Sequence, residues 1–97
     1  MEMIRDIAGR QLRLRYTFNS VCAIEERAGR ALEDMLELRF VPVRLLFWGA
    51  LTELQPEISL HDAGDMIGAH LQAGGTLTEI AQICLDALER AGFRAAQ

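Results

Sequence analysis

From Gln11 to Tyr16 the chain alternates strictly, with Leu12, Leu14 and Tyr16 apolar and Gln11, Arg13 and Arg15 polar. A period of two puts the first three on one side of a strand and the arginines on the other. Upstream, Met3-Ile4 and Ile7 alternate loosely with charge, and Ala8-Gly9-Arg10 supplies turn chemistry. Residues 2–16 therefore read as a β-hairpin. A lone two-stranded ribbon is marginal in water, so its apolar side must lie on helices.

Past Tyr16 the apolar spacing lengthens to three and four. Thr17 or Asn19 can cap a first helix, in which Val21, Ile24 and Ala28 share a face with Phe18 and Cys22 at its flank, and Gly29 stops it. A short second helix is expected from Ala31 to about Leu38, with Leu32, Met35 and Leu36 inward. Pro42 opens a third, Val43 to Leu54, ended by Gln55-Pro56. Ser59 with Asp62 resembles a capping box for a fourth helix reaching about Ala73. Gly74-Gly75 is a loop, and Thr76 with Glu79 is a full capping box opening the last helix, which ends at Gly92. The expectation is one mainly α (α+β) domain over residues 1–97. An N-terminal hairpin packs on a bundle of four to five short helices spanning about 18–92. Only the final Arg94-Ala95-Ala96-Gln97 falls outside these elements.

The third helix departs from ordinary amphipathic patterning. At 100° per residue, Val43, Leu46, Phe47, Ala50, Leu51 and Leu54 form one wide apolar arc. Leu45 and Trp48 fall on roughly the opposite side, joined by Val41 if the helix extends past Pro42. The last helix is apolar on one face only: Leu77, Ile80, Ala81, Cys84, Leu88 and Ala91 are inward. A helix apolar on two faces is either sandwiched between neighbours or presents surface to a partner, and a tryptophan with aliphatic neighbours makes an effective anchor. The partner-contact expectation is Val41, Leu45 and Trp48, with another copy of the chain among the candidate partners.

Composition narrows the function classes. Hydrophobic residues make up 51% of the 97, enough for one core and too many for a disordered chain. The net charge of −4 opposes nucleic acid and anionic membrane surfaces. All ten basic residues are arginine. Cys22 and Cys84 sit among apolar neighbours and read as buried thiols. No apolar signal core opens the chain and no window approaches a membrane span, so a cytoplasmic protein is expected.

Catalytic chemistry has little to stand on. A nucleophile, a base and an orienting group are not assembled by any motif, and no phosphate-binding, dinucleotide or zinc pattern occurs. His61 and Asp65, at i and i+4, could bridge a metal, but two exposed ligands are too few. The carboxylates at Glu25-Glu26, Glu33-Asp34 and Asp62/Asp65 read as solvated helix faces. Gly64 and Gly68 share the side of Leu60, Ala63, Ile67 and Leu71, which suggests close helix packing. The expectation is a non-enzymatic protein without metal or cofactor. Arg10, Arg13 and Arg15 leave one alternative, a small regulatory or nucleic-acid-binding module using an outward basic strand.

The order of features resembles a family. The basic hairpin leads into Leu14-Arg15-Tyr16-Thr17-Phe18, then Ile24-Glu25-Glu26 and Ala28-Gly29-Arg30-Ala31-Leu32. The apolar Leu45-Leu46-Phe47-Trp48-Gly49-Ala50-Leu51 precedes Pro56 and Ser59-Leu60-His61-Asp62-Ala63-Gly64. From about residue 8 to residue 92 this is similar to the tail assembly chaperones of long-tailed phages, in the tail tube-associated version of gene transfer agents. The resemblance implies a chaperone that coats the apolar, helical tape-measure protein and helps recruit tail-tube subunits. It also implies that a longer, frameshifted form is made in many members. The family has no agreed binding motif to carry over, so the contact residues rest on helix geometry alone.

Overall fold

A computed structural model describes residues 2–93. Strands β1 (Met3–Ile7) and β2 (Arg10–Leu14) pair antiparallel, with Met3 opposite Leu14 and Ile7 opposite Arg10. Helices α1 (Phe18–Ala28), α2 (Phe40–Thr52), α3 (Leu60–Gln72) and α4 (Leu77–Arg90) follow. A single 3₁₀ turn, Leu32–Met35, lies between α1 and α2. The expected hairpin on a helical bundle is therefore present. The final four residues lie outside those described.

Ala8 and Gly9 form the hairpin turn at φ 55° and 77°. Positive φ at both central positions suits the right-handed twist of the strands they join, although Ala8 adopts it at some steric cost. Alternation places Leu12, Leu14 and Tyr16 in the core and leaves Arg13 and Arg15 exposed. The outer backbone edge of β2 is sewn to the helices. Arg15 N–H donates to the Ala50 carbonyl at 2.8 Å. The Gln55 side chain accepts from Arg13 N–H at 2.9 Å and donates to the Arg13 carbonyl at 2.8 Å. One amide thus imitates a third strand at that position.

Three helices begin with reciprocal capping boxes, at Thr17/Ser20, Ser59/Asp62 and Thr76/Glu79. In each, two N–H groups that helical geometry would leave unpaired find oxygen partners. Gly29 ends α1 at φ 68° as expected. The second helix is shorter than expected, a four-residue 3₁₀ turn whose first N–H donates to the Glu25 carboxylate at 2.7 Å. That carboxylate is tied to the backbone and does not simply face solvent. Met35 is buried, while Leu32 and Leu36 pack only partly against the core.

Helix α2 starts at Phe40, three residues before the expected Val43, and stops at Thr52. Pro42 is accommodated because its position in the first turn needs no intrahelical N–H donor. The helix packs against α1, α3, α4, β2 and the 3₁₀ turn. It is the sandwiched helix of the two readings: Val43, Leu46, Phe47, Ala50 and Leu51 are at most 3% exposed on one side and Leu45 is 6% exposed on the other. At Gly49 the α1–α2 crossing is so close that a Cβ would lie 2.2 Å from Ile24 Cδ1.

Candidate functional site

Three of the most exposed large apolar side chains are nearly consecutive: Leu38 (57%), Phe40 (76%) and Val41 (57%). They form a ridge at the N-terminal end of α2, and a different surface groove opens beside each of them. Neither Leu38 nor Phe40 is among the expected contact residues: the sequence pattern puts Leu38 at the end of the second helix and Phe40 in the link before Pro42, whereas the 3₁₀ turn stops at Met35 and α2 starts at Phe40. The signal was the apolar run across the proline, interrupted only by Arg39.

The groove beside Val41 lies between the end of α1, the start of α2 and the start of α3, with a volume of about 240 Å³. Val41, Leu45, Met35 and Leu60 supply apolar lining. Arg27, Arg30 and Arg44 supply the charge, and no carboxylate lines it among the described residues. Small-molecule sites typically need roughly 300–1,000 Å³ of enclosed space, so this groove suits one or two side chains of a larger partner.

Each arginine is held differently. Arg27 lies over the Trp48 ring, 5.4 Å from its centroid, a cation–π arrangement. Arg30 donates to the Asp34 carbonyl and pairs with Glu37 at 3.4 Å. Arg44 makes no ion pair among the described residues. Its Nε is buried without a hydrogen-bond partner. Its stem crosses Gly64, where a Cβ would come within 3.2 Å of Arg44 Cδ. The small residue at 64 therefore lets a side chain of α2 lie close against α3, as the close-packing expectation has it. Gly68 faces open space, which corrects that expectation there. Both glycines line the groove beside Phe40, on the other side of Arg44.

The three expected contact residues therefore divide. Val41 stands on the exposed ridge, Leu45 is buried at the base of the groove, and Trp48 is half-buried next to Arg27. Val41 and Leu45 line one groove, Trp48 touches it only through Arg27, and the three do not form one exposed stripe. The correction for Leu45 has a plain cause: α1, α3 and the 3₁₀ turn cover the side of α2 that looked unpartnered.

The basic strand is largely neutralised. Arg13 binds Glu2 through two nitrogens, at 3.2 and 3.0 Å, and the pairing lowers the Glu2 pKa and raises that of Arg13. Arg10 lies 4.0 Å from Glu57. His61 and Asp65 are 3.5 Å apart, highly exposed, and no group of three metal-ligating side chains exists among the described residues. His70 instead contacts Glu79 at 3.0 Å. The Thr76 N–H first, and His70 second, hold the Glu79 carboxyl below its usual range.

Cys84 is buried beside Tyr16, and burial pushes its thiol up to about 12. Tyr16 is raised by burial as well, and its hydroxyl donates to the Leu46 carbonyl at 2.6 Å. Neither group is poised for nucleophilic chemistry, which needs a lowered pKa. Cys22 is only partly buried, against expectation, because it flanks the inner face of α1. No helix is long and apolar enough to cross a membrane among the described residues. Compared with family models, characterised proteins and solved structures, the chain matches none at a significant level.

Proposed function

We propose that this chain is a non-enzymatic, phage-like tail assembly chaperone of the host-cell cytoplasm. It binds the tape-measure protein and aids assembly of tail-tube subunits around it. The observation that carries this reading is the exposed apolar trio Leu38, Phe40 and Val41, with the groove over Leu45 opening beside Val41. Clustered apolar side chains on a small folded domain are characteristic of protein-binding surfaces. The order of features along the chain, similar to that of tail assembly chaperones in gene transfer agents and prophages, supplies the partner's identity.

Co-expression with a tape-measure protein encoded nearby should yield a soluble complex. Val41→Asp should abolish that complex without lowering the melting temperature, since Val41 is exposed and removes little from the core. Failure of the unmodified chain to form the complex refutes the proposed partner. The alternative, a nucleic-acid-binding module using Arg10, Arg13 and Arg15, is disfavoured by the Glu2 and Glu57 pairings.

A further inference from the structure

The groove beside Val41 has a composition at odds with the rest of the molecule. The chain as a whole carries a charge of −4. Yet this groove has three arginines and no lining carboxylate. The grooves elsewhere differ in sign: the one beside Phe18 carries only Glu25 and Glu33 as charged residues, the one beside Leu38 only Glu37, and the one beside Phe40 has Asp65 as well as Arg44. Arg44 strengthens the point. It has no ion pair among the described residues, and its Nε is buried with its hydrogen-bonding capacity unspent. No carboxylate of the described residues pairs with this half-buried side chain, so its charge is open to an acceptor from outside the fold.

We infer that the groove between α1, α2 and α3 docks a protein segment in which a carboxylate stands next to a bulky aliphatic residue. The aliphatic side chain enters the groove against Val41 and Leu45, and the carboxylate meets Arg44 with Arg27 or Arg30 at its margin. The volume of about 240 Å³ fits this occupant, an aliphatic side chain and a carboxylate, and is small for a whole helix. Charge complementarity selects an acidic apolar segment over a basic one, and the apolar base selects it over a purely acidic tail. This preference rests on the docking reading above and adds to it the chemistry of what is docked.

Trp48, the only tryptophan, lies under Arg27, which lines the groove, so its emission is the signal to follow, with calorimetry as a second readout. The probes are a synthetic helical peptide of alanine and leucine, about 20 residues long so that it holds its helix, with glutamates one turn from leucines. Its twins carry glutamine or lysine in place of glutamate. Titration should show the glutamate peptide binding about tenfold more tightly than the glutamine twin, and the lysine twin most weakly. The advantage should shrink as salt rises from about 50 to about 300 mM. Arg44→Gln should erase it and Arg44→Lys should keep part of it, with both variants checked by thermal melting. Equal binding of the glutamate and glutamine peptides, or binding of neither, overturns the inference. Self-association that Arg44→Gln abolishes, with no peptide bound, overturns it too and gives the groove to a second copy. The two proposals fail separately. Loss of the tape-measure complex with the peptide preference intact removes only the named partner. A tape-measure complex formed by a chain whose groove ignores the glutamate removes only the carboxylate.

Discussion

Gly49→Ala tests the close crossing of α1 and α2. A methyl at this position would lie 2.2 Å from Ile24 Cδ1 and 2.4 Å from Ile24 Cγ1. Carbon atoms pack best at roughly 3.5–4.0 Å, so α1 and α2 must separate by about 1 Å or more, or Ile24 must leave its rotamer. Ile24 is fully buried and has nowhere to swing. Overpacking of this kind costs about 1–3 kcal/mol, while replacing a helical glycine by alanine returns about 1 kcal/mol. The net expectation is destabilisation by up to about 2 kcal/mol, which for a domain of this size lowers the melting temperature by up to roughly 16 °C. Urea unfolding followed by circular dichroism measures it, with Ile24→Ala and the double mutant completing a cycle. Ile24→Ala alone should cost about 2–5 kcal/mol, and the double mutant should cost less than the sum, because each change relieves the other. A stabilised Gly49→Ala variant, or an additive cycle, refutes the claim that this glycine exists for the crossing.

Stability should also fall in alkali. The Cys84 thiol is neutral in the fold and raised from 9.0 to about 12, so its contribution is whole below pH 9 and is lost as pH rises towards 12. About 2 kcal/mol should be gone by pH 10.5, with Tyr16 acting in the same direction. The chain has no lysine to confuse that limb; Cys84→Ala should flatten it, and parallel curves for the two proteins from pH 8 to pH 10.5 would contradict the assignment. Gln55→Ala removes both bonds to Arg13 and should cost about 1–2 kcal/mol, with faster amide exchange at Arg13; unchanged exchange there would show that the side chain does not hold the strand.

The elements were legible where local chemistry is self-contained. Thr76/Glu79, Ser59/Asp62 and Gly29 announce helix ends through hydrogen bonds within a few residues, and each stands where the pattern put it. Leu12, Leu14 and Tyr16 announce a buried strand face by parity alone. What the pattern missed depends on distant neighbours. Helix α2 begins before Pro42 without a side-chain cap at Arg39, so no local hydrogen-bond signature marks its start. Leu45 is inside because other elements close over it, and the arginine lining of the groove joins Arg27 of α1, Arg30 just past its end and Arg44 of α2, which no local window brings together. Gly68 shows the same limit: its spacing with Gly64 suggests a helix contact, and it faces open space instead.

Arg44 and Leu45 are adjacent residues of a helix whose remaining sides are fixed by contacts with most of the fold. Whatever settles above them meets a surface that has already surrendered its mobility during folding. The entropic penalty of association then falls mainly on the incoming chain and on the ends of a few arginine side chains. On the proposed reading, a segment docked here leaves without any part of the receptor melting.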